Sequence, residues 1–566
     1  ALDQSYAIDA NEIKLIKVLG HGGFGTVYQA TVRGKAVAVK VFHNQKLSAE
    51  ALDDFCNEVE ILAKIHHPQI INFIGACLEP LMIVTELMAG GDMEKLLLDS
   101  SAQLSFLTRL QMAKDAALGM AWLHGSDPMI LHRDVKTANF LVDENLRVVV
   151  ADFGLSDKLK RGSSTWDDGG YKGTIYYTSP EVLKNAVFNE KADVYSFGIV
   201  LWQILTRQEL YPEFKKVKSN ELEKKIFDTI VFKNVRPTIP ADCPEGFRQL
   251  IEDCWASDAD KRPQFSQIVE RIDDAIYSEA IPNKKAREQW LEWFPGRQQV
   301  RWKSFWEHFV LACENPTSLS SPRRRPRVNS GSVLATPPRS QTPLLEDSSA
   351  AATSSNSNEN HNSSDSSNDP SEENEVKLLA HELMSPNADI VIHQVNSGII
   401  HIDQFGNFIQ SFGPLHPSHN PARYAHSVAK NKWFFGQLSI NQTFNLLNGQ
   451  AAGTYLIRYS LSRRGDYSAS FVTPSGSVAH QHIDRRVTEE PTFSIKYVIP
   501  STGASYDSLE DLVDDQPYLR IRCTGWPYAW IFANRTCAAN IDDTFLDTST
   551  DSTLQSIRST HQLSIK

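Results

Sequence analysis

The sequence lacks the features that mark three large classes of protein. Its seven cysteines are odd in number and scattered from Cys56 to Cys537, so they give neither a disulfide framework nor paired metal-binding spacing. No apolar run approaches the ~18–20 residues that span a bilayer. A formal net charge of -11 provides no positive surface for nucleic acid. We therefore expect a cytoplasmic protein in a reducing compartment, without integral membrane contact and without a nucleic-acid partner.

The length and the spacing of apolar residues divide the chain. Domains typically hold ~100–200 residues, so 566 residues are expected to form two or three folded units. Residues 11–43 alternate β-rich runs with glycine-containing turns, which predicts an antiparallel meander. Apolar residues three and four apart over 50–67 predict one amphipathic helix, and helical patterns dominate from about 93 to 278. We expect a small β-rich lobe followed by a larger helical lobe.

Segments of contrasting composition follow the helical lobe. Residues 286–313 hold seven Trp and Phe side chains in a helical setting, too many to remain in water. Residues 316–376 are rich in Ser, Asn, Pro and Glu and lack the apolar content that would offset their ordering entropy, which predicts disorder. Short β-runs between two helical stretches, 439–448 and 507–515, predict a further α+β module.

A glycine-rich turn lies between the first two predicted strands. The stretch "GHGGFGTV" places Gly20, Gly22 and Gly25 where missing side chains let backbone N–H groups approach phosphate oxygens. An ordinary glycine hairpin is the alternative for an isolated match, and a dinucleotide-binding loop is disfavoured because a strand follows. Lys40 lies on the next strand, "AVAVK", where it can neutralise phosphates, and Glu58 on the amphipathic helix can hold Lys40 by an ion pair.

Two further stretches, "HRDVKTANF" and "VVVADFGL", carry groups suited to phosphoryl transfer. Asp134 is placed to accept a proton from a hydroxyl, while Asn139 and Asp152 can bind Mg²⁺ that offsets phosphate charge. Lys136 follows Asp134 closely enough to steady the transferring group. In this order and at these spacings the motifs resemble those of the protein kinase family over roughly residues 10–278. The resemblance implies a two-lobed fold with ATP in the cleft between the lobes.

The resemblance also assigns roles to residues. It implies that the catalytic set is Lys40, Glu58, Asp134, Lys136 and Asn139, with Asn139 and Asp152 as the metal ligands. It places ATP against the glycine loop, the lysine strand and a hinge, "IVTELMAGGD", with Thr85 as a small gatekeeper. The implied ATP-binding residues are Gly20, His21, Gly22, Gly23, Phe24, Gly25, Thr26, Val27, Ala38, Lys40, Thr85, Glu86 and Met88.

The stretch "GTIYYTSPE" resembles the end of a kinase activation segment. By that likeness Glu181 pairs with Arg262, and Asp193 braces the catalytic loop. A phosphate added to the polar stretch before it can meet Arg133 beside Asp134, which predicts activation by phosphorylation, with an ordinary polar loop as the alternative. The candidate phosphosites are Ser163, Ser164, Thr165, Tyr171 and Thr174.

Two residues bear on which hydroxyl is phosphorylated. Tyrosine kinases usually have Arg at the position of Lys136 or of Ala138, and this chain has neither. Thr174 also fits the serine/threonine pattern, whereas "HPQIINFIGAC" and "DVYSFGIVLW" resemble the tyrosine-kinase-like branch. The prediction is a serine/threonine kinase that also accepts tyrosine. A strict tyrosine kinase and a pseudokinase scaffold acting through its binding module are the alternatives, and the intact catalytic set disfavours the scaffold.

The stretches "WFFGQLS", "GTYLIRYS", "DYSASFV", "VAHQHI" and "YDSLEDLV" occur in order and resemble an SH2 domain. Its centre is an Arg on a strand, whose guanidinium can grip a phosphate with two hydrogen bonds; an edge salt bridge is the alternative for an isolated Arg. The implied phosphotyrosine-binding residues are Arg458, Ser460, Arg463, Arg464 and His480. Ile440 and His482 depart from the pattern, because many SH2 domains have Arg and Lys there, so the clamp around the phenol ring is thinned.

The stretch "HIDQFGNFIQSFGPL" resembles the helical piece before the SH2 domain of the social-amoeba Shk-type dual-specificity kinases, whose domain order is the same. The resemblance implies ATP and Mg²⁺ as cofactors, and protein substrates and phosphotyrosine-containing proteins as partners, with peripheral membrane recruitment only through them. We expect a multidomain α+β protein. Its protein kinase domain (10–278) has a β-rich N-lobe and an α-rich C-lobe, and its SH2 domain (430–525) has a central antiparallel sheet flanked by two helices. Between and after these domains we expect an aromatic-rich helical segment (279–315), a disordered linker (316–376), a helical pre-SH2 segment (377–429) and a tail (526–566).

Overall fold

A computed structural model describes most of the chain outside one long internal stretch and the carboxy-terminal end. The described residues are 6–21, 25–43, 49–154, 156–158, 175–184, 186, 188–217, 219–314, 375–377, 379–380, 383–384, 399–416, 418–460, 463, 465–489 and 492–528. The chain divides into two compact units, Ala1–Ala280 and Ile281–Lys566. The segment predicted to be a disordered linker and the predicted tail fall almost wholly outside the described residues.

The first unit begins with a five-stranded antiparallel sheet in the order β1-β2-β3-β5-β4. Its strands are β1 (Ile13–His21), β2 (Gly25–Val32), β3 (Lys35–Phe42), β4 (Phe73–Leu78) and β5 (Leu81–Glu86). The amphipathic pattern over 50–67 forms helix α1 (Ala49–Lys64), which buries Phe55, Val59 and Leu62. The predicted antiparallel meander and the helix that follows it are therefore confirmed.

Helices dominate the rest of the first unit. They are α2 (Met93–Leu98), α3 (Phe106–His124), α4 (Pro180–Leu183), α5 (Lys191–Thr206), α6 (Ser219–Phe227), α7 (Glu245–Cys254) and α8 (Phe265–Ala280). Short strands lie between them: β6 (Gly91–Asp92), β7 (Ile130–Leu131), β8 (Phe140–Val142), β9 (Val148–Val150) and β10 (Asp157–Lys158). Ser105 caps α3 by accepting a hydrogen bond from the backbone N–H of Thr108, and α3 and α5 supply much of the buried core. The expected division into a β-rich and a helical lobe is confirmed.

The second unit contains two aromatic helices, α9 (Lys284–Trp293) and α10 (Trp302–Glu314), with strand β11 (Gln299–Arg301) between them. Strand β11 pairs with β12 (Ile399–His401), which precedes helix α11 (Ile402–Phe412). Buried rings from α11 pack on both aromatic helices: Phe405 lies 5.4 Å from Trp290 and 5.5 Å from Phe305 between ring centroids. Residues on the two sides of the long polar stretch thus belong to one folded body.

The rest of the second unit is a six-stranded sheet in the order β17-β16-β15-β14-β13-β18. The strands are β13 (Thr454–Tyr459), β14 (Tyr467–Val472), β15 (Val478–Thr488), β16 (Ser494–Ile499), β17 (Ala504–Tyr506) and β18 (Ile521–Arg522), and the helices are α12 (Pro421–Ala429), α13 (Ile440–Leu447) and α14 (Leu509–Asp515). The sheet is antiparallel except at one edge, where β18 runs parallel to β13. Among the described helices, none has both the length and the apolar composition needed to cross a bilayer.

Candidate active site and phosphate pocket

Lys40 lies at the centre of a charged network in the first unit. Its Nζ lies 2.8 Å from Oε1 and 3.0 Å from Oε2 of Glu58, and 3.1 Å from Oδ1 of Asp152. Strand β3 provides the lysine, α1 provides Glu58, and Asp152 follows β9. Three residues that are far apart in the sequence are therefore brought together, as the spacing of the motifs predicts.

The charges in this network shift each other's pKa. Burial alone would lower the pKa of Lys40, but the negative charges of Glu58 and Asp152 outweigh burial and raise that pKa. Burial would likewise raise the pKa of Asp152, and the nearby Lys40 ammonium lowers it instead. Both groups are therefore charged at neutral pH, so that one ammonium lies between two carboxylates.

Two donors within the "HRDVKTANF" stretch orient Asp134. Nζ of Lys136 lies 2.6 Å from Oδ2 of Asp134, and Nδ2 of Asn139 donates to the same oxygen at 2.9 Å. The same amide also donates to the backbone carbonyl of Asp134 at 2.7 Å, which fixes the Asn139 rotamer. The carboxylate of Asp134 is 9% exposed, so these bonds are made in a largely desolvated setting.

The backbone of the loop is held by Asp193 of α5. Its carboxylate accepts hydrogen bonds from the backbone N–H groups of His132 and Arg133, each at 2.9 Å, and lies 2.9 Å from Nε2 of His124. Burial would raise the pKa of Asp193, but the bond to His124 and the histidine charges lower it. Arg133 has a φ of 68°, a conformation that costs free energy for a non-glycine residue and that this bracing stabilises. His124 was missed at the sequence level, because a lone His at a helix end carries no recognisable signal.

Strand pairing positions the expected ATP-binding residues. Val27 of β2 lies opposite Lys40, and Ala38 of β3 lies opposite Thr85 of β5. Oγ1 of Thr26 lies within hydrogen-bond distance of the rings of two histidines, His21 at 3.2 Å and His43 at 3.1 Å. Met88 is buried. Gly20 and Gly25 lie in the strands on either side of the loop, whereas Gly22, Gly23 and Phe24 lie outside the described residues.

The side chain of Glu86 is engaged away from the cleft. Its Oε1 accepts a hydrogen bond from the backbone N–H of Asn72 at 2.9 Å, and its Oε2 lies 2.9 Å from Nη2 of Arg147. Arg147 also donates to Asp143, so that it connects the end of β5 to the turn between β8 and β9. If Glu86 contacts adenine, it does so through its backbone, as the resemblance to kinases implies. Arg147 was not identified from the sequence.

Beyond the loop, Glu181 and Arg262 form a bidentate ion pair with N–O distances of 2.6 and 2.9 Å. The guanidinium also donates to the carbonyl oxygens of Lys191 and Ala256, each at 2.8 Å, and its side chain is 0% exposed. Burial would raise the pKa of Glu181, but the hydrogen bonds and charge of Arg262 lower it. All five candidate phosphosites, Ser163, Ser164, Thr165, Tyr171 and Thr174, lie outside the described residues.

In the second unit, Arg458 is a buried cation on β13. Its Nη1 donates to the carbonyl oxygen of Tyr459 at 2.9 Å, its Nε is buried without a hydrogen bond, and it makes no ion pair with a described carboxylate. Burial lowers the pKa of this guanidinium. Burying a cation without a carboxylate partner costs free energy unless a bound anion neutralises its charge. The geometry is therefore that of an anion pocket.

The other expected pocket residues differ in placement. Burial and the charge of Arg458 lower the pKa of His480, whose Nδ1 lies 2.9 Å from Oγ of Ser470. Oγ of Ser460 accepts a hydrogen bond from the backbone N–H of Arg463 at 3.3 Å. The Arg463 side chain is 66% exposed and lies 3.8 Å from Asp484. Arg464 lies outside the described residues, and Ile440 is exposed at the start of α13.

Comparison with known proteins agrees with this geometry. Residues 13–272 match the family model for protein tyrosine and serine/threonine kinases, and residues 433–516 match that for SH2 domains. The dual specificity protein kinase shkA of Dictyostelium discoideum is 37% identical over 507 residues, which cover 87% of this chain and 86% of that protein. The dual specificity protein kinase shkC of the same organism is 35% identical over 511 residues, 89% of each chain.

Another relative matches about half of this chain. The probable serine/threonine-protein kinase drkA of Dictyostelium discoideum is 39% identical over 280 residues, 48% of this chain and 41% of that protein. The matches to the two Shk kinases instead cover 87% and 89% of this chain, and so extend over both units. The chain therefore belongs to the family of Shk protein kinases, in which an ATP-dependent kinase domain precedes an SH2 domain that binds phosphotyrosine-containing partners.

Proposed function

We propose that this kinase phosphorylates serine and threonine and, to a lesser extent, tyrosine, and that its SH2 domain directs it to phosphotyrosine-bearing proteins. The observation that carries the proposal is the complete network of Lys40, Glu58 and Asp152 beside a loop in which Lys136 contacts Asp134. The names of the Shk relatives, which are dual specificity kinases, support the mixed acceptor range.

Asp134 is the proposed base. In the proposal its carboxylate accepts the proton of the incoming hydroxyl, while Asn139 holds the carboxylate in place. Lys136, 2.6 Å from the same carboxylate, steadies the transferring phosphoryl group next to a short Ser or Thr side chain. Lys40 neutralises the non-transferred phosphates, and Glu58 keeps Lys40 directed toward them.

Mg²⁺ is the proposed metal cofactor, with Asn139 and Asp152 as its protein ligands. Both offer oxygen atoms, which Mg²⁺ prefers, and the lowered pKa of Asp152 keeps its carboxylate charged. The Nδ2 of Asn139 is used by Asp134, which leaves the amide oxygen for the metal. When bound, Mg²⁺ offsets charge on the phosphates.

The anion pocket of Arg458 is proposed to take the phosphate of phosphotyrosine. Ser460, His480, Arg463 and Arg464 are the other proposed phosphotyrosine-binding residues. This role is supported by the burial of the Arg458 guanidinium, which has no ion pair with a described carboxylate and whose Nε has no hydrogen bond. Docking of this kind recruits the enzyme to phosphorylated partners in the cytoplasm, including partners held at a membrane.

Phosphoamino-acid analysis of an in vitro reaction with Mg²⁺ and ATP tests the acceptor range. We expect mainly phosphoserine and phosphothreonine with a minor phosphotyrosine fraction. Asp134→Asn should reduce the rate by roughly 10²–10⁴-fold, because the base is lost, whereas the exposed Asp242→Asn should retain it. Phosphotyrosine alone would indicate a strict tyrosine kinase. No transfer by the wild-type chain, together with an unchanged cellular role of Asp134→Asn, would favour a pseudokinase scaffold.

A further inference from the structure

Three metal-ligating side chains converge beside the phosphate pocket. Nε2 of His482 lies 3.1 Å from Oδ2 of Asp466 and 2.9 Å from Oδ1 of Asp484. The ligand atoms of the three residues all lie within 4.8 Å of one another. Their side chains are 18–28% exposed, which leaves the group accessible to an ion from solvent.

The sheet brings these residues together on one face. His482 and Asp484 are two residues apart on β15, so their side chains point the same way, and Asp466 immediately precedes β14, which pairs with β15. Oδ1 of Asp466 accepts a hydrogen bond from the backbone N–H of Arg485 at 2.9 Å, which leaves Oδ2 directed at His482. Outer contacts of this kind orient metal ligands in proteins.

The spacing fits a bound cation as well as it fits the hydrogen bond between His482 and Asp466. Ligands that each lie about 2.0–2.2 Å from one Zn²⁺ are separated from each other by roughly 3 Å. The distances from Nε2 of His482 to the two carboxylate oxygens are close to that value. Oδ1 of Asp484 is buried and accepts no hydrogen bond, although Nε2 of His482 is close to it. Arg463 and Arg486 lie farther from Asp484, at 3.8 and 3.4 Å, with side chains about two-thirds exposed. One imidazole and two carboxylates form a donor set that Zn²⁺ accepts, with a fourth position open.

The group also lies close to the pocket of Arg458. Arg458, Ser468 and His482 occupy one row across three neighbouring strands. At ~4.8 Å between strands, the backbones of Arg458 and His482 are on the order of 10 Å apart. Two carboxylates at that distance repel a phosphate dianion, and a divalent cation between them neutralises both.

We propose that Asp466, His482 and Asp484 bind a divalent cation of the Zn²⁺ class, and that this cation tightens phosphotyrosine binding by neutralising the two carboxylates. The cation takes the place of the positive charge that many SH2 domains have at the position of His482. The second half of the proposal rests on the proposed phosphotyrosine-binding function, whereas the metal site does not.

Calorimetric titration of the chelator-treated full chain with Zn²⁺ alone tests the site. Wild type should bind one more equivalent of Zn²⁺ than His482→Asn or Asp484→Asn. Asp507→Asn, which changes a 78% exposed carboxylate that directly follows β17 and pairs with Lys496, should bind as wild type does. Equal stoichiometry and affinity in wild type and His482→Asn would overturn the metal site and leave only the contacts of His482 with the two carboxylates.

The affinity for a phosphotyrosine peptide tests whether the cation tightens phosphotyrosine binding. It is measured with and without Zn²⁺ and compared with the affinity for the unphosphorylated peptide. Wild type should bind the phosphopeptide on the order of tenfold more tightly with Zn²⁺, because a repulsive charge pair is removed. His482→Lys, which carries its own cation, should bind it without Zn²⁺ and show no Zn²⁺ response. Zn²⁺ binding without any change in peptide affinity would overturn the claim that the cation tightens phosphotyrosine binding. Zn²⁺ binding in a chain that never binds phosphopeptide would instead refute the proposed SH2 function and leave the metal site standing.

Discussion

Two cations define the chemistry of this chain at the scale of single residues, and they differ in how they are compensated. Lys136 contacts the carboxylate of Asp134 at 2.6 Å, so its charge already has a partner. Arg458 is buried and makes no ion pair with a carboxylate in the part of the chain that the structure describes, so it favours an incoming anion. In the proposed function, Lys136 acts where the phosphoryl group is transferred and Arg458 acts where a phosphorylated partner is bound. The amino acid that the kinase phosphorylates therefore need not be the phosphotyrosine that the SH2 domain binds.

The buried pair of Arg262 and Glu181 provides a stability test at this scale. Arg262→Met should lower the free energy of unfolding of the first unit by about 3–5 kcal/mol, because it leaves the Glu181 carboxylate without its partner in a largely buried setting. Thermal unfolding of the full chain measures this, with the first unit identified as the transition that ATP raises. Arg33→Met, which removes an exposed pair with Glu12, is the control and should leave the transition unchanged. A small effect of Arg262→Met would contradict a structural role for the pair.

At the scale of elements, the pairing of β11 with β12 makes the long polar stretch an insertion within the second unit. The sequence predicts a linker between a helical segment and an SH2 domain, whereas the residues on both sides of the stretch pack together. Phe405 of α11 is fully buried against Trp290 of α9 and Phe305 of α10. Helix α11 also contacts the sheet, because the hydroxyl of Tyr467 donates to the carbonyl oxygen of Ser411 at 2.9 Å.

Cleavage within the polar stretch tests this arrangement. A protease site inserted between Ser340 and Gln341 should be cut without separating the two fragments, because the rings on α9, α10 and α11 stay buried against each other. Size-exclusion chromatography of the cut protein measures the association. Phe405→Asp, which places a charge among those rings, should release the fragments after cutting. Separation of the fragments from the unsubstituted chain would show that the aromatic contacts do not hold the unit together.

Local patterns in the sequence were sufficient for most elements and for the groups near Lys40 and Asp134, because their spacing follows a recurring chemical requirement. The pairing of β11 with β12 could not be predicted, since three-residue strands about a hundred positions apart leave no local signal. The same holds for Arg147 and His124, ordinary surface residues by type that act through tertiary contacts. The convergence of Asp466 on His482 likewise depends on strand register. The predicted domain ranges remain predictions.

At the scale of the whole molecule, the connection between the two units is short. Helix α8 ends at Ala280 and α9 begins at Lys284, so three residues separate them in the chain. The polar stretch lies farther on, within the second unit. If the SH2 domain docks a substrate for the kinase domain, the effective concentration of that substrate depends on the short connection rather than on the length of the polar stretch.

Substrate peptides primed with phosphotyrosine, joined to the acceptor serine by spacers of several lengths, test this reasoning. For the best spacer, priming should raise kcat/KM by at least about tenfold, mainly through KM, because docking makes the second encounter intramolecular. Arg458→Leu should lose the enhancement, since the proposed phosphate ligand is absent. Deletion of residues 320–370 should retain it, because the deleted stretch does not separate the kinase unit from the sheet that carries Arg458. Loss of the enhancement on deletion would mean that the polar stretch sets the reach between docking and catalysis.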